Sequence, residues 1–257
     1  MSSAPCAVPD REWCHGVRQI VRFNWPYYLA AAPVTIIGLA LVSRLPVTPL
    51  VRMLLYCAAA LPCWWIGASL VASWFVYDQS PLMGTDWLIQ MLGCSPTGWV
   101  IIHAGFDEMT PLLRASLAGS CGTDFDMFDP IRMTEGSIAR ARRFAGSGTA
   151  TVDFRHLPVS SGSVDAVLLF LSAHELRSDA ERTALFGEVR RILAPKGSVA
   201  VVEHLRDLPN FLAYGPGFLH FHRRRTWMRV FDRSGFSRQE ERPITPFVRV
   251  FLLRRRS

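Results

Sequence analysis

The chain has 257 residues, 50% of them hydrophobic, and a net charge of +7 at pH 7. This length suits one α/β domain with a sizeable core plus a smaller segment. The positive charge is carried almost entirely by arginine and lies mainly after residue 98, where attraction to anionic lipid explains it more simply than nucleic acid does. Because no zinc-finger, RNA-binding or basic-heptad signature occurs, no nucleic-acid partner is expected. The six cysteines are scattered and predict no disulfide framework.

Two long apolar runs without a charged side chain occupy residues 23–43 and 53–77. Each has the roughly 20 residues needed to cross about 30 Å of hydrocarbon. We predict a two-pass membrane anchor over 23–77, with residues 1–22 and the carboxyl-terminal domain cytoplasmic, because basic residues before the first run slightly outnumber those between the runs. The alternatives are a hairpin in one leaflet or two buried core helices.

After a predicted connector at residues 78–98, residues 99–257 alternate between predicted strands and helices. The predicted strands are 99–104, 124–128, 150–154, 164–171, 198–202, 236–242 and 247–254, and the predicted helices are 108–117, 134–144, 179–193 and 226–234. Helices between successive strands, followed by a final strand pair, indicate a doubly wound, Rossmann-like α/β fold. We expect a seven-stranded sheet with an antiparallel edge.

Two stretches in this domain carry specific motifs. Residues 152–176 read VDFRHLPVSSGSVDAVLLFLSAHEL, and residues 185–205 read LFGEVRRILAPKGSVAVVEHL. They combine an acidic residue before Leu-Pro, a Ser-Val-Asp entry to a strand, a His-Glu-Leu exit, and a helix ending in Leu-x-Pro-x-Gly. This combination resembles the later motifs of class I S-adenosylmethionine-dependent methyltransferases, and the resemblance covers about three-fifths of the chain.

The resemblance implies that S-adenosyl-L-methionine is the cofactor. Ligands of doubly wound sheets bind beyond the carboxyl ends of the strands. In the family, an acid after the second strand binds the ribose hydroxyls, and this position matches Asp129. The adenine contacts match Asp153 and the neighbouring Phe154. The alternative role for either acid is that of a solvated turn residue or a helix cap.

The loop after the first strand departs from the family pattern. The family has a Gly-x-Gly-x-Gly loop, whereas residues 103–108 read HAGFDE, with a single glycine. We expect this loop to contact the cofactor, with one of its two acids binding the ammonium group. The cofactor residues predicted there are His103, Gly105, Asp107 and Glu108. The alternative is that cofactor binding has been weakened or lost.

Several histidines follow the fourth and fifth predicted strands. Methyl transfer requires alignment of the acceptor and removal of a proton if the acceptor is an alcohol or phenol. We predict His174 and His204 as candidate bases, His220 as a third, and Glu203 as an adjacent acid. No metal is predicted, because no ligand pair shares a helical face. A nicotinamide oxidoreductase is disfavoured because its glycine fingerprint is absent.

An aromatic insertion at residues 205–221 follows the fifth predicted strand. It is interpreted as a lid over an apolar substrate or as a loop at the membrane interface, although ordinary packing over the sheet is the alternative. Together with the anchor, it predicts a small hydrophobic acceptor that partitions into the bilayer, such as a quinone, phenol, lipid or lipophilic thiol. The competing hypothesis is a methyltransferase-like scaffold that no longer binds the cofactor.

Overall fold

The computed structural model describes residues 13–144 and 149–256. It begins with a helical hairpin made of α1 (His15–Arg44) and α2 (Pro49–Trp74). The Thr48 hydroxyl accepts the Val51 amide at the start of α2, and proline occupies the first helical position, where it is well tolerated. The helices approach closely at Gly38, where an added Cβ would lie 3.1 Å from the Ala59 Cβ. Most of the predicted amino-terminal segment lies outside the described residues.

The outer faces of the hairpin are apolar. Both helices are long and apolar enough to cross a membrane by length and composition, and none of the most apolar window of the second is buried. Large exposed apolar side chains include Trp25, Leu29, Ile36, Ile37, Leu41, Leu54, Leu61, Trp64 and Val71. Core helices of a soluble domain would bury such residues. Membrane spanning stays a prediction.

The segment predicted as a connector is largely helical and contributes to the core. A helical turn at Phe75–Gln79 extends α2, a short 3₁₀ turn occupies Pro81–Met83, and α3 covers Asp86–Leu92. The Asp78 carboxylate accepts the amides of Gly16 and Val17 at 2.7 and 3.0 Å, so it caps the start of α1. This contact joins the start of α1 to the end of the extended α2 and closes the open end of the hairpin.

The α/β domain follows. Its elements are β1 (Gly98–His103), α4 (Met109–Ser116), β2 (Cys121–Asp126), α5 (Gly136–Ala141), β3 (Ala150–Thr151), β4 (Val164–Phe170), α6 (Asp179–Ile192), β5 (Leu193–His204), α7 (Leu208–Tyr214), α8 (Arg224–Arg233), β6 (Phe236–Pro243) and β7 (Val248–Arg255). They form a sheet of order β3-β2-β1-β4-β5-β7-β6. Six strands are long and β3 has two residues, so the sheet reaches the predicted seven only if β3 is counted.

Strand pairing corrects two sequence-based boundaries. β2 ends at Asp126, because its register with β1 ends where His103 pairs with Asp126. β3 stops at Thr151, which leaves Asp153 in the turn beyond it. The last two strands form the expected antiparallel edge, in which β7 lies between β5 and β6 and runs opposite to both.

Helices cover both faces of the sheet. On one face, α6 and α8 bury a core that includes Phe186, Val189 and Trp227, and a capping box between Ser178 and Glu181 fixes the start of α6. On the other face, α3 and α4 contribute to a second core that includes Leu88. The carboxyl ends of the parallel strands therefore meet at one edge, where doubly wound sheets bind ligands.

Candidate active site

The turn after β4 is strained and held against β1. Leu171 has a φ of 49°, and it is the one non-glycine residue with positive φ in the described chain. A side chain in the left-handed region costs about 1 kcal/mol. The Ser172 hydroxyl donates to the Ile102 carbonyl at 2.7 Å, which fixes the following turn, Ala173–Glu175, beside the end of β1. The predicted His174 is thereby brought to the carboxyl edge.

The glycine of the loop after β1 adopts a conformation that suits glycine. Gly105 has a φ of 91°, and its amide donates to Nδ1 of His103 at 3.2 Å. Since Nδ1 accepts this bond, a neutral His103 carries its proton on Nε2. That nitrogen is buried and has no hydrogen-bond partner among the described residues. A buried donor without a partner at the carboxyl edge of the sheet is a candidate contact for a ligand acceptor.

Two predicted cofactor residues of this loop have structural partners. One Asp107 oxygen accepts the amides of Met109 and Thr110 at 2.8 and 3.2 Å, and so caps α4. The Glu108 carboxylate lies 3.0 Å from His15 Nε2 and also accepts from Gln19 on α1. Their predicted contact with the cofactor stays a prediction.

Asp126 ends β2 at the edge of the sheet. It is buried, and its Oδ1 accepts the Phe128 amide at 2.9 Å. Its other oxygen pairs with the Arg142 guanidinium, which also lies 4.2 Å from the centre of the Phe128 ring. A Cβ at position 105 would collide with Arg142, so this arginine fills the space between the β1 loop and the end of β2.

The structure places Asp129 three residues beyond the end of β2. Its carboxylate accepts the Ile131 amide at 2.8 Å and pairs with Arg132 at 2.8 Å, and these partners lower the pKa of Asp129. This is the geometry of a half-buried turn acid. Sequence reasoning missed Asp126 because it extended the strand to residue 128, although the alternation of acids at 124 and 126 was visible.

The two residues predicted to contact the adenine differ in their exposure to solvent. Asp153 is exposed and accepts the Arg155 amide at 2.9 Å. Phe154 is buried in the core, with the Arg155 guanidinium 4.4 Å from its ring centre. Asp153 is therefore accessible to a ligand at this edge, whereas the Phe154 side chain serves packing.

His174 and Glu203 form a buried pair. His174 Nδ1 lies 2.6 Å from Glu203 Oε2, and the His174 amide donates to the other Glu203 oxygen. Burial alone lowers the pKa of His174, but the carboxylates of Glu203 and Glu175 outweigh it and raise this pKa to about 10. His174 is thus held as an imidazolium at neutral pH, which disfavours the predicted role as a free base.

His220 from the aromatic insertion completes a cluster with this pair. Its Nε2 lies 3.3 Å from Glu175 Oε1, and its Nδ1 lies 3.4 Å from Glu135 Oε1. The His174 and His220 rings meet edge to face at 5.1 Å. The structure therefore brings together three of the predicted catalytic residues, His174, His220 and Glu203, and adds two glutamates.

His204 occupies a separate aromatic pocket. Its Nδ1 lies 2.9 Å from the Phe247 carbonyl, so Nδ1 carries the proton and Nε2 accepts the Tyr77 hydroxyl at 3.2 Å. Burial, and then the charge of His174, lower the pKa of His204 to about 4, which keeps the imidazole neutral. Its ring stacks on Phe221 at 4.7 Å. Tyr77 was missed because its position at the end of an apolar run indicated an interface anchor.

The aromatic insertion joins the hairpin to this edge. It contains α7 and a 3₁₀ turn, Gly215–His220. Trp65 of α2 packs on Phe211 at 5.8 Å, and Gly215, with a φ of 54°, lies under the Trp65 indole, where a Cβ would collide. The same turn delivers His220 to the cluster, so the insertion is both part of the site and a contact with α2.

A family model described as a methyltransferase domain matches residues 130–201, which run from beyond β2 into β5. No sequence among curated proteins matches this chain. A SAM-dependent methyltransferase structure from Aquifex aeolicus is similar over 68% of this chain and 93% of its own, with 12% identity and a TM-score of 0.52. The α/β domain has the methyltransferase fold. The matched family supports S-adenosyl-L-methionine as the cofactor.

Two further solved structures share the methyltransferase fold at low identity. Mitomycin 7-O-methyltransferase is similar over 96% of this chain and 74% of its own, with 15% identity and a TM-score of 0.52. Geranyl diphosphate C-methyltransferase from Streptomyces coelicolor A3(2), solved with Mg²⁺, geranyl diphosphate and S-adenosyl-L-homocysteine, is similar over 72% of this chain and 82% of its own, with 13% identity and a TM-score of 0.51.

The residues around the β1 loop fit this cofactor chemically. The unpaired Nε2 of His103 is a donor suited to a carboxylate, and the Asp126 carboxylate is an acceptor suited to a ribose diol. The positive φ of Gly105 allows close approach of a ligand to the backbone. The Arg142 side chain lies in the same space, so binding there requires this long side chain to move.

Proposed function

We propose that this protein is an S-adenosyl-L-methionine-dependent methyltransferase that acts on a small hydrophobic acceptor taken from a lipid bilayer. The observation that carries the proposal is the arrangement at the carboxyl edge of the sheet. Cofactor-compatible groups follow β1 and β2, and a buried His/Glu cluster follows β4 and β5. These positions suit a cofactor and an acceptor side by side, as methyl transfer requires.

The chemical step makes modest demands on the protein. The cofactor, when bound, supplies an electrophilic methyl group. The residues of this chain orient the acceptor and exclude water, and the stacked rings of His204 and Phe221 provide an apolar wall for that purpose. His204 stays neutral at pH 7, and the Tyr77 hydroxyl and the Phe247 carbonyl bond its two ring nitrogens, so its role is to hold this wall in place.

The hydrophobic nature of the acceptor is inferred from what covers this edge. The aromatic insertion exposes Leu212 and Leu219, and it contacts α2 through Trp65. The insertion thus lies between the hairpin and the His/Glu cluster. An acceptor dissolved in lipid would meet apolar surface along this route, which supports a quinone, phenol, lipid or lipophilic thiol as the substrate class.

The hairpin supports membrane attachment. Contacts with the domain involve residues 15–23 of α1 and the end of α2 from Trp65 onward. The rest of α1, residues 24–44, has a length of ~32 Å. This matches about 30 Å of hydrocarbon, so it supports a two-pass crossing. We also propose that the α/β domain lies on the cytoplasmic side of the membrane.

A scaffold that no longer binds the cofactor is the second candidate, and one observation favours it. Arg142 pairs with Asp126 and occupies the space next to Gly105. If this ion pair does not separate, the ribose hydroxyls of the cofactor cannot reach the Asp126 carboxylate.

Calorimetric titration of detergent-solubilised protein with S-adenosylmethionine and S-adenosylhomocysteine decides between the two candidates. Micromolar binding that is followed by methyl transfer to a lipophilic phenol or quinol supports the enzyme. Absence of heat in protein with native circular dichroism would make the scaffold the better proposal.

A further inference from the structure

Three ligand atoms from two separate parts of the chain converge at the His/Glu cluster. Glu175 Oε1 lies 3.2 Å from His174 Nε2 and 3.3 Å from His220 Nε2. Each of the three residues offers one ligand atom, and these three atoms lie within 4.8 Å of one another. His174 and Glu175 are buried and His220 is partly buried. His220 is therefore the most accessible of the three residues.

These separations match the edges of a metal coordination polyhedron. Zinc binds histidine nitrogen and carboxylate oxygen at about 2.0–2.2 Å, so neighbouring ligands of a tetrahedral site lie about 3.4 Å apart. The distances from Glu175 Oε1 to the two Nε2 atoms, 3.2 and 3.3 Å, are close to this separation. Two histidines and a glutamate, with a further position left for a small ligand, form the donor set of several catalytic zinc sites.

Each histidine also has a carboxylate behind its other nitrogen. Nδ1 of His174 lies 2.6 Å from Glu203, and Nδ1 of His220 lies 3.4 Å from Glu135. Metal-binding histidines characteristically donate their second N–H to such a carboxylate, which fixes the tautomer and leaves the opposite nitrogen for the metal. Here both Nε2 atoms point to the same Glu175 oxygen.

The local charge also suits a cation. Three carboxylates, those of Glu135, Glu175 and Glu203, contact the two imidazoles. The Arg177 guanidinium lies 3.4 Å from His220 Nδ1 and offsets part of this negative charge.

We propose that His174, Glu175 and His220 bind one divalent transition-metal cation of the Zn²⁺ type at the acceptor side of the site. Its role in the reaction rests on the proposed methyl transfer, whereas binding itself does not. A hydroxyl or thiol bound to such a cation loses its proton to water more readily. The freed lone pair on oxygen or sulfur then forms the bond to the methyl carbon as the carbon–sulfur bond of the cofactor breaks.

The test measures binding without cofactor or acceptor. Metal-free protein in detergent is dialysed against micromolar Zn²⁺ and its metal content is measured, and Co²⁺ absorption spectra report the ligands. We expect one Zn²⁺ per chain and weaker retention of Mg²⁺, which prefers oxygen ligands. Glu175→Gln and His220→Gln should each lower Zn²⁺ affinity at least ~100-fold, while His156→Gln, at an 86% exposed side chain, should not.

The carboxylates at the Nδ1 atoms of the two histidines, those of Glu203 and Glu135, provide an independent check. Glu203 is fully buried, so its variant is liable to misfold, but Glu135 is exposed enough to be replaced safely. Glu135→Gln should lower Zn²⁺ affinity by about 10-fold or more. Less than one tightly bound metal per folded chain, or Zn²⁺ affinity unchanged in both Glu175→Gln and His220→Gln, would overturn the proposal. Loss of cofactor binding alone would contradict the proposed function and leave the metal site standing.

Discussion

The Tyr77 hydroxyl donates a hydrogen bond to Nε2 of His204 at 3.2 Å, and the two residues are 127 positions apart in the chain. Tyr77 belongs to the helical turn that extends α2, and His204 is the last residue of β5. The apolar hairpin therefore reaches the carboxyl edge of the sheet. The position of the hairpin and the geometry of the site are linked through this bond.

Removing the Tyr77 hydroxyl should affect both stability and turnover. Tyr77→Phe leaves the buried His204 Nε2 without its donor, which costs about 1–3 kcal/mol. We expect a lower unfolding temperature and a lower kcat, with little change in the Kd for S-adenosylhomocysteine. Tyr27→Phe, on an exposed part of α1, is the matched control. Equal stability of the two variants would mean that the contact contributes nothing.

Acidification should destabilise the folded protein through His204. Its pKa is lowered to about 4, so between pH 6.5 and 4 the unfolded chain binds the proton and the folded chain does not. Stability is therefore present above pH 6.5 and falls with decreasing pH, by at most about 3 kcal/mol from this group. Denaturant titrations at several pH values should show a smaller acid loss in His204→Gln than in the wild type. Parallel pH profiles would show that His204 is not the cause.

The acid at the end of β2 should matter more for cofactor binding than the half-buried acid that follows it. Asp126→Asn weakens an acceptor for the ribose hydroxyls, and a hydrogen bond to a charged group contributes about 1.5–3 kcal/mol. We expect S-adenosylhomocysteine affinity to fall by about 10-fold or more. Asp129→Asn should change it little, because Asp129 caps a turn. The reverse order of effects would restore Asp129 as the ribose ligand.

Removal of the arginine that covers the β1 loop should strengthen cofactor binding. Arg142 must leave Asp126 and Gly105 before a ligand enters, so Arg142→Ala removes a competing contact. We expect S-adenosylhomocysteine to bind several-fold more tightly, as measured by calorimetry. Arg143→Ala, at the neighbouring exposed position, controls for the loss of charge. Weaker binding in Arg142→Ala alone would show that Arg142 assists the cofactor.

Charged residues on the hairpin should release the protein from membranes. Ile36→Arg and Leu54→Arg each place a charge on an exposed apolar face, at a cost of about 2.5–3.5 kcal/mol in hydrocarbon. The fraction bound to anionic vesicles should fall in both variants. Ile131→Arg, at a still more exposed isoleucine of the α/β domain, should leave the bound fraction unchanged.

The orientation of the anchor has its own test. Under the predicted topology, external protease leaves the carboxyl terminus intact in right-side-out vesicles. Ready cleavage from outside would contradict the cytoplasmic placement of the domain.

Local patterns in the sequence predicted most of the helices and strands. The apolar run of β4 and the amphipathic face of α6 were expected at nearly their observed bounds. Such periodicity depends on residues close in the chain and on which face is buried, so it can be recognised without knowledge of the fold. Strand ends were less predictable because pairing with a neighbour decides where a strand stops, as β2 shows at Asp126.

The sequence by itself determined the α/β pattern, the two apolar helices and the concentration of histidines after two strands. Only the tertiary structure decided that His174 and His220 both contact the same oxygen of Glu175. It also decided that Arg142 covers Gly105 and that Tyr77, beyond the end of α2, contacts His204. The physical reason is that side-chain partners are set by strand register and by the docking of distant helices. These long-range contacts leave no periodic signal in the chain.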